Sequence, residues 1–190
     1  RGNGLMDYQA WSRGLLRGTQ LNYTAATGIP WLCGNSTTGT HRSIRFDNVS
    51  LTTSSTSHNN YIVNFKGTSQ GSGGANVRVF QAGTGGAILE EDSWSMQYEN
   101  VRGRTNNGSN TGVGFRSYME NLPSAGTLSL KLCSFMGFQN SCMIGAFKTS
   151  IAGESAYNGY TKHTVHFENV QFNTATDGLM IGKRVTVGSF

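Results

Sequence analysis

Charge is scarce in this 190-residue chain: Asp, Glu, Lys and Arg make up 13% of it, against roughly 25% in ordinary globular domains. Long surface helices draw on Lys, Glu and Ala, so the shortage disfavours a helical protein. Proline occurs only twice, at Pro30 and Pro123. Cysteine is limited to Cys33, Cys133 and Cys142. An odd number without a CxxC pair points to neither a disulfide scaffold nor a zinc site. Cys133 and Cys142 fall in apolar strand patterns and read as buried free thiols. No apolar run approaches the roughly 18 residues of a membrane helix, so membrane insertion is not expected. The net charge of +5 comes from scattered residues. Without a basic stripe or an RNA-recognition signature, nucleic acid is not an expected partner. His163 and His166 lack the carboxylate context of a metal site, and no GxSxG nucleophile motif is present. No cofactor is implied. The chain starts at Arg1 without a secretory leader and is expected to be a segment of something longer.

What is abundant is turn chemistry. The chain holds 26 Gly, 20 Ser, 20 Thr and 17 Asn, with ten Phe, seven Tyr and three Trp. Turn formers mixed with aromatic and β-branched residues predict many short strands. Four stretches share a pattern: IRFDNVSL from Ile44, MQYENVRG from Met96, LKLCSFMG from Leu130 and VHFENVQF from Val165. Alternating apolar residues mark a half-buried strand. The Asn or Ser at positions 48, 100, 134 and 169 breaks the alternation. Asn tolerates left-handed backbone, so a sharp bend between two strands is predicted there.

A polar loop and another short strand follow each bend: YIVNFK at Tyr61, VGFRS at Val113, MIGAFK at Met143 and LMIGKR at Leu179. A basic residue stands in or after each, namely Lys66, Arg116, Lys148 and Lys183. The bends are separated by 52, 34 and 35 residues, the first interval containing a Gly-rich excursion with its own strand near Val77 to Phe80. Such units bury their apolar side only by stacking, which predicts an all-β parallel β-helix or solenoid with Phe46, Tyr98, Leu132 and Phe167 in one ladder. A β-sandwich is the structural alternative.

The stretch VHFENVQFNTATDGLMIG resembles one coil of a right-handed parallel β-helix of the pectin-lyase-like type, a family that includes phage tailspikes and polysaccharide-degrading enzymes. The likeness covers residues 43–183 with gaps. The Gly/Ser/Thr/Asn-rich composition is also similar to that of trimeric phage tail fibres. Units of 34–35 residues exceed the two dozen or so of a usual family coil. Residues 1–40 do not fit the repeat and read as an N-terminal cap or linker before a repetitive domain over 41–190. Within the cap, LMDYQAWSRGLLRG has helical spacing, and TGIPWLCGNSTTGTH reads as an irregular loop.

Asp47, Glu99 and Glu168 recur beside the bend and read as outward turn residues rather than catalysts. Glu90, Glu91 and Asp92 form the one acidic cluster, next to Trp94. Paired carboxylates beside an aromatic platform suit glycoside hydrolysis, where one acid protonates the leaving oxygen and the other activates water or attacks. A polysaccharide lyase would draw on Arg102, Arg104, Arg116, Lys148, His163 and His166. Trp11, Trp31 and Trp94 are sugar-stacking candidates. If the units stack, Lys66, Arg116, Lys148 and Lys183 form a basic column that could hold an anionic glycan.

The resemblance implies a homotrimeric virion component, outside the bacterial cell, that recognises capsule or lipopolysaccharide as host receptor. A polysaccharide depolymerase and a bacterial adhesin or autotransporter passenger are the alternatives.

Overall fold

The computed structural model describes residues 19–34, 44–68, 71–93, 95–118, 126–145, 163–173, 176–182 and 185–190. They form sixteen strands, β1 (Gln20–Tyr23), β2 (Trp31–Cys33), β3 (Arg45–Thr53), β4 (Val63–Lys66), β5 (Gly73–Gln81), β6 (Ile88–Glu91), β7 (Met96–Glu99), β8 (Arg102–Thr105), β9 (Val113–Tyr118), β10 (Gly126–Lys131), β11 (Ser134–Met136), β12 (Asn140–Ile144), β13 (His163–Glu168), β14 (Gln171–Asn173), β15 (Asp177–Ile181) and β16 (Val185–Ser189), and no helix among the described residues. Every pairing between these strands is parallel. This excludes the β-sandwich, whose sheets are antiparallel. The chain is a β-solenoid of about 4 turns.

Each rung has three legs. Leg A runs up to a bend, leg B leaves it, and both belong to a ten-stranded sheet; leg C follows a loop and belongs to a six-stranded sheet. The bends sit at Asn48, Asn76, Asn100, Leu132 and Asn169, all with φ between 50° and 54°. Asn suits this left-handed conformation because its short amide bonds locally. The bend asparagines also bond along the axis: Asn76 Nδ2 donates to Asn48 Oδ1 at 3.0 Å, and Asn100 Nδ2 donates to Asn76 Oδ1 at 2.8 Å.

Two features differ from the sequence reading. The Gly-rich excursion is itself a full rung, since β5 pairs with β3 on one side and with β7 and β8 on the other. The long first interval thereby divides into 28 and 24 residues, the length of an ordinary coil. This rung was hidden because Gly74 replaces the ladder aromatic. A Cβ there would lie 2.8 Å from the Phe46 carbonyl oxygen, so the site has no room for one. The next bend lies at Leu132, not at position 134. Register pairs Leu130 with Tyr98 and Phe167, leaving Leu132 45% exposed at the turn. The ladder is therefore Phe46, Gly74, Tyr98, Leu130 and Phe167. The sequence pattern slipped by two residues because LSLKL continues the alternation through the bend.

The solenoid also reaches into the segment read as a cap. β1 pairs with β3 and β2 with β4, so Trp31–Cys33 is a strand within the stretch expected to be a loop. The predicted helix around Leu5 to Leu15 lies outside the described residues.

Inside, residues stack by type. Val49, Val77, Val101 and Cys133 line one corner, and Leu51, Val79, Gly103, Phe135 and Phe172 line leg B. Aromatic rings cross between legs as a chain, Phe46–Phe65–Tyr98–Phe115–Phe135, with centroids 5.3 to 6.1 Å apart. Such contacts add about 0.5–1.5 kcal/mol per pair to area burial. Cys33, Cys133 and Cys142 are free, buried thiols.

Candidate functional site

Leg C places the acidic trio. β6 alternates its side chains, so Glu90 and Glu91 point to opposite faces. Glu90 points inward, in the row Cys33, Phe65, Glu90, Ser117 and Ile144. It has no exposed surface, and neither carboxylate oxygen has a partner in hydrogen-bond geometry. Burial raises its pKa to about 7, the nearby hydroxyls of Tyr98 and Ser117 opposing part of that rise. Asp92 is buried too and turns the chain at the end of β6 with φ of 51°. The three carboxylates therefore do not converge. Hydrolysis needs two carboxyl groups flanking one bond on an open face, and here a sheet separates Glu90 from Glu91. Trp94 lies outside the described residues.

Glu91 points outward and organises the leg C surface. Its Oε2 accepts from Asn64 Nδ2 at 2.9 Å and pairs with Lys66 Nζ at 3.4 Å. Its Oε1 accepts a short bond from the Tyr118 hydroxyl. These contacts follow from register, since Lys66, Glu91 and Tyr118 share one row and Asn64, Leu89 and Arg116 the next. Burial alone would raise the Glu91 pKa; the bonds from Asn64 and Tyr118 and the Lys66 charge outweigh it and hold the carboxyl below its ordinary value. Glu91 is thus a fixed anion and acceptor, not a proton donor near neutral pH. Asn64 Oδ1 is buried without a partner.

Arg116 is not beside Lys66 on the surface. It is 1% exposed, donates to the carbonyls of Ser117 and Met143, and lies with its guanidinium carbon 5.0 Å from the centre of the Tyr118 ring. Lys148 and Lys183 lie outside the described residues. The two described members of the expected basic column therefore do not form one, because they sit two residues apart along the leg C register.

The lyase candidates spread over the legs. Arg102 and Arg104 lie on leg B, Arg116 is buried on leg C, and His166 is exposed on leg A, its Nδ1 3.1 Å from Ser189 Oγ. His163 belongs to β13. Asp47, Glu99 and Glu168 do share one outward row on leg A, with Ala75 and Lys131 completing it. Lys131 and Glu168 form an ion pair of 3.2 Å. Trp31 is half-buried against the core in register with Val63, and Trp11 lies outside the described residues. Among the described residues no three of His, Cys, Asp and Glu are grouped as for a metal ion.

The sequence reading missed Asn64 and Tyr118. A signal was there: both alternate with core residues at positions that bracket a strand carboxylate. The arrangement can offer a fixed anion, a phenol edge and an ammonium to a polar ligand. No protein-family model, no curated protein and no solved structure matches the chain, so its role rests on this geometry alone.

Proposed function

We propose that the chain is a receptor-binding β-solenoid segment of a phage tailspike or tail fibre. It would bind a bacterial surface polysaccharide, capsule or lipopolysaccharide, and assemble as a homotrimer. The observation that carries the binding rather than the cleaving reading is the leg C network. The outward carboxylate of Glu91 is tied to Asn64, Lys66 and Tyr118, while its neighbour Glu90 is sealed in the core. A preformed network on rigid strands binds at low ordering cost. Rungs about 4.8 Å apart also present the same leg repeatedly along the axis, which suits an extended, repeating ligand.

The test is adsorption of fluorescently labelled protein to a panel of bacterial strains, before and after enzymatic removal of capsule. Strain-selective binding lost with the polysaccharide is the expected result; binding indifferent to its removal overturns the reading. Light scattering of the segment should give a trimer. A clean monomer that still binds cells would instead favour a bacterial adhesin or autotransporter passenger. A fall in polymer viscosity on mixing would restore the depolymerase reading with groups other than the Glu90–Glu91 pair.

A further inference from the structure

Leg B carries the strongest concentration of like charge among the described residues. Two rows with outward strand parity run along it, in which Ser50, Thr52, Arg78 and Ser134 are buried and the others are half-buried or exposed. One is Ser50, Arg78, Arg102, Ser134 and Gln171; the other is Thr52, Phe80, Arg104, Met136 and Asn173. Neither row contains a carboxylate. Arg78 and Arg102 are in register on neighbouring rungs, hence about 4.8 Å apart at the backbone.

The three arginines differ in exposure. Arg78 is 6% exposed, and its Nη1 donates to the carbonyls of Val77 and Asn100. Its Nε is buried without a partner. Burial, with the Arg102 charge second, lowers its pKa to about 10. Arg102 and Arg104 are half-buried, and Asn106 Oδ1 accepts from Arg104 Nε at 2.9 Å, holding that guanidinium in place. Asn106, Gln171 and Asn173 are exposed around them. Phe80 is half-buried between Thr52 and Arg104.

We infer that leg B is a second binding surface, built for a carboxylate- or sulfate-bearing polysaccharide, with Arg102 and Arg104 contacting the anionic groups and Arg78 positioning them. Guanidinium groups on neighbouring rungs can each offer paired N–H bonds to a carboxylate or sulfate laid across them. Exposed amides at Asn106, Gln171 and Asn173 can meet sugar hydroxyls, and Phe80 supplies an apolar patch for a ring face. The surface is distinct from the leg C network, and its ligand class rests on the polysaccharide reading above.

Binding is measured by fluorescence anisotropy with labelled polygalacturonate oligomers, dextran sulfate, neutral dextran and single-stranded DNA, on wild type, Arg102→Gln/Arg104→Gln and Lys131→Gln. The last variant removes a positive charge from leg A and controls for net charge. The two acidic glycans should bind, more weakly as salt rises. The double variant should lose tenfold or more in affinity with an unchanged circular-dichroism spectrum, Lys131→Gln should lose less than twofold, and Arg102→Lys/Arg104→Lys should fall between. Full acidic-glycan binding in the double variant overturns the leg B site while leaving the polysaccharide reading standing. Binding of neutral dextran alone overturns the acidic class but not that reading. No binding of any glycan, or DNA bound as tightly as the acidic glycans, overturns both the class and the site as a glycan surface.

Discussion

Glu90→Gln probes a fully buried carboxyl that faces the core. In the folded chain the Glu90 pKa is about 7, against 4.5 for an ordinary carboxyl. Below pH 4.5 the residue is neutral folded or unfolded and contributes no pH dependence. Between these values the unfolded chain releases a proton that the folded chain retains, so stability falls as pH rises. Above pH 7 both states are ionised and the penalty is constant. At about 1.4 kcal/mol per pH unit, the interval amounts to about 3 kcal/mol. In a chain of this size that corresponds to about 6–12 °C in Tm. Glutamine keeps the shape and cannot ionise. Far-ultraviolet circular-dichroism melts of both proteins at pH 4, 5.5, 7 and 8 should show nearly equal Tm at pH 4 and a widening advantage for Glu90→Gln towards pH 8. Taking the difference cancels every other titrating group. Melting curves that move in parallel across this range would refute the buried, partnerless carboxyl.

Leu132→Asn should stabilise the protein by about 1 kcal/mol, since a bulky residue at φ 53° is strained where Asn is tolerated; the readout is the urea midpoint, and the side chain lost is already exposed. Gly83→Ala should destabilise by several kcal/mol or prevent folding, because the new Cβ would lie 2.0 Å from the His58 carbonyl oxygen. Glu91→Gln should cost about 0.5–1 kcal/mol at pH 7, as expected for a partly exposed ion pair. That deficit should shrink as pH falls below the unfolded value and through the depressed Glu91 pKa, because the stabilisation of such a carboxylate is present above its unfolded value and lost on protonation; a series of melts from pH 7 downwards checks both statements.

The architecture was legible where one residue has one physical use. Asn48, Asn100 and Asn169 flagged the bends because left-handed backbone is hard for other side chains. Alternation around Phe46, Tyr98 and Phe167 marked the inward row. The rung at Gly73–Gln81 was obscured because its ladder position holds a glycine, which reads as a loop. The bend at Leu132 was hidden by a residue with no turn preference. The site was less legible. Glu90 and Glu91 are adjacent in sequence, and only the phase of β6 tells that one is sealed and the other exposed. The phase was available, since Ile88 and Glu90 share parity, yet a cluster of three acids outweighed it. Arg116 looked like a surface cation because burial of an outward row depends on neighbouring chain, which strand periodicity does not encode.

The bends fall 24 to 37 residues apart, yet the legs stay in register from Asn48 to Asn169. Lengthening a loop costs little entropy, and each rung meets only its two neighbours. The scaffold thus separates what must be constant from what is free to vary. A loop can be rewritten, extended or exchanged in one rung without retuning the core of the others, so such a molecule can change the surface it presents while keeping how it stands.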